Sequence, residues 1–178
     1  IVLQAGATYT GNFVLPAKGG SGPWITIRTS DMARLPKETV RVGPQHAHTM
    51  PKIIDPQGSG AISTALRAGY YRLIGLEITV SPSVKNAFSL VNLGNGGPDQ
   101  NTLAVAARQL ILDRVYIHGD PKQNCFRCVA LNSAHTAVID SYLGNAHVQG
   151  FDAQAICGWN GPGPFKIVNN YLEGSGEN

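Results

Sequence analysis

Two short stretches concentrate the groups that could do chemistry. Asp120, Lys122 and Arg127 lie in one, and His147, Asp152 and Gln154 lie in the next, in a chain with only 14% charged residues. An Arg or Lys can serve as a proton-abstracting base or can neutralise a carboxylate. Aspartates are oxygen ligands for a hard cation such as Ca²⁺. Arg127 and Lys122 are thus the candidate catalytic residues and Asp120 and Asp152 the candidate metal ligands. Gln154, His147 and Trp159 are the candidate substrate contacts. A structural account stands beside each of these. Lys122, His147 and Asp120 suit solvated loops, and Arg127 and Asp152, 25 residues apart, suit an ion pair between neighbouring turns of a repeat. The Trp159 ring suits either stacking on a ligand or burial on Leu131.

The elements that must position these residues are short strands. The 178 residues include 21 Gly, are 43% hydrophobic and carry a net charge of +3. So few charges exclude a coiled coil or a charged helical bundle, and recurrent Ile, Val and Leu exclude ordinary disorder. No block of basic residues argues for nucleic acid, and no apolar run reaches the ~18–20 residues of a membrane span. Three cysteines, Cys125, Cys128 and Cys157, give no disulfide framework, and Cys125-Phe126-Arg127-Cys128 lacks the second pair that a zinc site needs. Packing or loop roles are expected for them.

An internal repeat decides the architecture. Leu110–Ile117, Ala137–Leu143 and Lys166–Leu172 align as a β-run, a polar bend and a second β-run. The bends are read at Asp113, Asp140 and Asn169, spaced 27 and 29 residues apart, with Gly75 as an earlier copy 38 residues upstream. Asp, Asn and Gly tolerate the left-handed backbone of a sharp bend, so these residues form a structural ladder rather than catalysts. A further strand per unit aligns Cys128–Asn132 with Ile156–Asn160, which stacks Val129 on Cys157 and Leu131 on Trp159, and Ser89–Leu93 is an earlier counterpart. Long loops, 118–127 and 144–153, precede these strands. A chain that returns to the same place every ~27–29 residues builds a solenoid with one continuous core. About six to seven three-strand coils are expected, on the order of 30 Å in total length. Residues 30–50 form a loop excursion, and residues 94–107 another, with a short helix expected over 102–108.

This coil resembles the right-handed parallel β-helix of the pectin-lyase-like superfamily. Ile1-Val2-Leu3 followed by Gly6-Ala7-Thr8-Tyr9-Thr10-Gly11 is similar to the opening coil of such proteins, and Trp24–Arg28 and Gly69–Leu76 resemble the coils that follow. The resemblance covers nearly the whole chain and is specific for fold, not activity. It implies a single all-β domain over 1–178, a piece of a longer β-helix open at its C-terminal end, with any export signal outside it. It also implies a secreted protein facing a polysaccharide or cell-surface glycan, with no membrane span. A monomer is expected, although the isolated chain, its last strands uncovered, should aggregate or be less stable than a longer one.

In that superfamily a uronate lyase removes the proton α to the carboxyl with Arg or Lys and neutralises the carboxylate with Ca²⁺ or basic groups. A hydrolase uses paired carboxylates instead. The resemblance therefore implies β-elimination, with Arg127 or Lys122 as base or neutraliser and Asp120 with Asp152 on Ca²⁺. The alternative is a non-catalytic carbohydrate-binding, surface or adhesin module. The run Asn169–Glu177 also resembles alginate-lyase-type β-helices, which makes Glu173 and Glu177 further metal candidates.

Overall fold

A computed structural model describes residues 1–18 and 22–175. β-branched and aromatic residues at alternate positions form short strands that pair only in parallel with the equivalent strand one coil away. The first coil holds β1 (Val2–Leu3), β2 (Thr8–Thr10) and β3 (Phe13–Leu15), and the second β4 (Ile25–Thr29), β5 (Lys52–Asp55) and β6 (Ile62–Thr64). The third has β7 (Gly69–Ile74), β8 (Glu77–Val80), β9 (Asn86–Ala87) and β10 (Val91–Gly94). The fourth has β11 (Arg108–Asp113), β12 (Tyr116–His118), β13 (Asn124–Cys125) and β14 (Arg127–Asn132). The fifth has β15 (Ala134–Ile139), β16 (Tyr142–Gly144) and β17 (Gln154–Cys157), and β18 (Phe165–Val168) and β19 (Tyr171–Leu172) begin a sixth.

Three sheets result: β1-β4-β7-β11-β15-β18, β2-β5-β8-β12-β16-β19 and β3-β6-β10-β14-β17. The fold is a right-handed parallel β-helix with five full coils and two strands of a sixth among the described residues. The fourth sheet, β9-β13, pairs Asn86 with Asn124 and Ala87 with Cys125 at one corner.

The core is a set of stacked side-chain rows. Ile53, Ile78, Ile117 and Leu143 share one row of the second sheet, and Leu73, Leu112 and Val138 one row of the first. All are buried, at roughly 1.5–3 kcal/mol per side chain. Cys125 and Cys128 are buried free thiols, and Cys157 is half-buried. Contact with Cys125 and burial push the Cys128 thiol well above its ordinary value, so it stays neutral.

The bend ladder is present, one position from the expected place in the fourth coil. Positive φ falls on Gly75 (61°), Arg114 (49°), Asp140 (54°) and Asn169 (54°), not on Asp113. At Gly75 a Cβ would meet Leu35 and Thr29 at 2.9 Å, so glycine is needed there for space as well as for conformation. Asp113 instead ends β11 opposite Ile139, fully buried, where Arg114 Nε and Arg72 Nε donate to it at 2.8 and 3.1 Å.

The excursion over 30–50 lies along this ladder as a strap. Arg114 Nη1 donates to the Pro36 carbonyl, the Thr39 N–H to Asp140 Oδ2, and Asn169 Nδ2 to the Thr39 carbonyl. Leu35, Val42 and Met50 bury a second small core against Ile74 and Tyr116, and a 3-10 helix over Pro44–Thr49 returns the chain to β5. Residues 102–106 form turns, not the expected helix.

Candidate functional site

The long loops of the third, fourth and fifth coils turn from the second sheet into the third. Arg127 opens β14 and pairs in register with Gln154, which opens β17. The guanidinium carbon lies 5.0 Å from the centroid of the Trp159 ring, a cation–aromatic contact.

Trp159 does not stack on Leu131. The register is Val129 on Ile156 and Ala130 on Cys157, one residue from the expected pairing. Gly158 then comes opposite Leu131, where a Cβ would sit 2.2 Å from the Leu131 carbonyl oxygen, and the strand stops. Asn132 Oδ1 accepts the N–H groups of Trp159 and Asn160, turning the indole outward. It is 55% exposed, and its Nε1 donates to the Gly96 carbonyl at 3.0 Å. Asn160 Nδ2 and Gln100 Nε2 cross-brace the same loop, donating to Asn95 and Asn132 carbonyls respectively.

Two buried polar atoms on this face have no hydrogen-bond partner among the described residues, Arg127 Nε and Gln154 Oε1. They are a donor and an acceptor on neighbouring coils of one row. At about 1–3 kcal/mol for an unsatisfied buried group, they favour any partner that supplies both an acceptor and a donor.

Beside Arg127 runs a row of phenylalanines that the sequence reading missed. Phe88 and Phe126 stack at 5.5 Å, and Phe126 and Phe151 lie 6.2 Å apart. Phe88 and Phe151 are exposed. The alignment of Ser89–Leu93 with Cys128–Asn132 would put Phe88 over Arg127, whereas the observed register, Val91 on Val129, is one residue off and puts it over Phe126. Phe88 and Phe126 are nearly parallel, so they largely cover each other's faces, leaving less ring for a ligand than Trp159 offers.

The other candidates separate from this face. Asp120 and Lys122 line a groove with Lys85, Asn86, Gln123 and Asn124, which does not include Arg127. His147 sits at the corner, its carbonyl accepting the Cys125 N–H and its Nδ1 lying 3.2 Å from the Asn145 carbonyl oxygen. Asp152 is exposed two residues before Gln154. No three His, Cys, Asp or Glu side chains converge among the described residues, and Asp152 is not in the lining of the groove that holds Asp120. Asp120 also shares its groove with two lysines. Glu173 Oε2 accepts the Asn145 N–H at 3.1 Å, and Glu177 lies outside the described residues.

No protein-family model, no curated protein and no solved structure matches this chain.

Proposed function

We propose that this β-helix works outside the cell by binding an acidic polysaccharide along the outer face of its third sheet, in the manner of pectin-lyase-like proteins. The observation that carries the reading is the pair formed by Arg127 and the exposed Trp159 ring. A uronate sugar has an apolar ring face for the indole and a carboxylate for the guanidinium. Its hydroxyls both donate and accept, the combination that Gln154 Oε1 and Arg127 Nε lack.

Binding without bond cleavage is the form of this reading that the geometry supports best. A guanidinium stays protonated at any ordinary pH, so Arg127 suits carboxylate neutralisation better than proton abstraction. Lys122, the other candidate base, lines a different groove. The test is affinity electrophoresis against polygalacturonate, alginate and a neutral glucan, for the parent and for Arg127→Gln and Trp159→Ala. The acidic gels should retard the parent more than either variant, with no unsaturated uronate product absorbing in the near ultraviolet. Such a product, lost in Arg127→Gln, would replace binding with β-elimination. Retardation unchanged in both variants would remove the site.

A further inference from the structure

The groove that holds Asp120 and Lys122 has a chemistry of its own. It has a volume of about 620 Å³ and is lined by Lys85, Asn86, Asp120, Lys122, Gln123 and Asn124, among others, which is within the size range of small-ligand sites. Its floor is firm. The β9–β13 pairing aligns Asn86 with Asn124, Asn124 Nδ2 donates to Asn86 Oδ1 at 2.8 Å, and the Asn124 N–H donates to the Lys85 carbonyl at 3.0 Å.

Two lysines, Lys85 and Lys122, thus line one groove from successive coils, whose backbones are about 4.8 Å apart. Like charges so placed repel. Neither lysine has a salt-bridge partner among the described residues. The one carboxylate in the lining, Asp120, turns Oδ1 to the Lys122 backbone N–H at 2.8 Å. A second, independent feature is Gln123. It is 8% exposed, its Nε2 donates to the Ser81 carbonyl at 3.1 Å, and its Oε1 is buried with no partner among the described residues. That fixes the amide with an unused acceptor in the wall of a cationic groove. Sulfate answers the lysines but gives Gln123 no donor. A sugar that carries a carboxylate or sulfate answers both, with its anion on the lysines and a hydroxyl donating to Gln123 Oε1.

We infer that the groove between Lys85 and Lys122 is a binding site for one acidic unit of a glycan. The inference takes the sugar part of its ligand from the glycan-binding reading above and the acidic part from the groove itself.

The test is ¹H–¹⁵N NMR titration of the whole chain with trigalacturonate, a chondroitin sulfate disaccharide, neutral galactotriose and sodium sulfate. Trigalacturonate or the sulfated disaccharide should shift the backbone signals of Lys85, Lys122 and Asn124 and the side-chain amide of Gln123. Either probe should bind more tightly than sulfate alone, and galactotriose should leave these signals in place. Lys85→Gln with Lys122→Gln should weaken the acidic probe about ten-fold or more, and Gln123→Leu should weaken it without changing the sulfate titration. Arg127→Gln with Trp159→Ala should leave these shifts unchanged, so their survival in that double variant with polysaccharide retardation equal to the parent's would discard the sheet site and keep this one. Equal affinity for sulfate and the acidic sugars, or unchanged affinity in the double lysine variant while the polysaccharide still binds, would overturn the inference.

Discussion

Asn169 shows how much one side chain does in this molecule. Its φ of 54° turns β18 toward β19, and its Nδ2 donates to Asp140 Oδ1 at 2.7 Å and to the strap at Thr39. Asn169→Val puts a β-branched residue in a left-handed bend and removes both bonds, and should destabilise by roughly 1–3 kcal/mol in denaturant unfolding. A melt equal to the parent's would contradict the bend's role. The ladder was legible because Asp140 and Asn169 are residues that tolerate this backbone. Arg114 was not, because a left-handed Arg next to an Asp gives no compositional signal. The clue lay two residues on, where Tyr116, Tyr142 and Tyr171 stand in register. Glu77 is a second residue with a readable consequence. Burial alone would raise its pKa, but hydrogen bonds from His118 and Lys52 outweigh that and hold its carboxyl below the ordinary 4.5. A carboxyl lowered in the folded state stabilises above about pH 4.5 and loses that contribution as pH falls through the lowered value. Thermal melts should therefore show a steeper loss of stability between about pH 5 and 3 in the parent than in Glu77→Gln. Parallel profiles would mean that the pairing contributes nothing.

Among the elements, the strap over 30–50 is the one whose form sequence patterning hid. It lacks alternation because it is neither strand nor helix for most of its length, and its partners are bends far away in the chain: Gly75, Arg114, Asp140 and Asn169. It covers Ile74 and Tyr116 with Leu35, Val42 and Met50, and Arg114, 5% exposed beside the buried Asp113, relies on it for the Pro36 carbonyl. Replacing residues 33–42 with a short Gly-Ser linker should lower the melting temperature by several degrees and expose apolar surface to a hydrophobic dye. An unchanged melt would make the strap a decoration. The strands themselves were legible from alternation, and their pairing from the repeat. The exact register of β14 on β17 was not, because aligning Asn132 with Asn160 ignored that Gly158 ends the strand. That single residue decides whether Trp159 is core or surface, and so most of the candidate site was readable as residue types but not as an arrangement.

On the scale of the whole molecule, the helix leaves both terminal coils uncovered in the described structure. Ile1, Leu3, Tyr9, Phe13 and Ile53 line an apolar hollow at one end, and Phe165, Ile167, Val168 and Leu172 are exposed at the other. Unpaired strand edges of three parallel sheets accompany them, and each end fits the other by continuing the stack. Sedimentation of the 178-residue chain should show association that grows with concentration, and a lone monomer at about 100 μM would contradict this. Between those ends the molecule presents one face where a cation, an exposed indole and unused hydrogen-bonding groups meet, and the claim that this face holds an acidic glycan is central. The chain has two tryptophans, so a Trp24→Phe background isolates Trp159 as a fluorophore. Titration with an acidic uronate oligosaccharide should change its emission saturably, with the response lost in Arg127→Gln and absent with a neutral oligosaccharide. Emission that stays flat with every acidic oligosaccharide, or that changes equally without Arg127, would contradict the account.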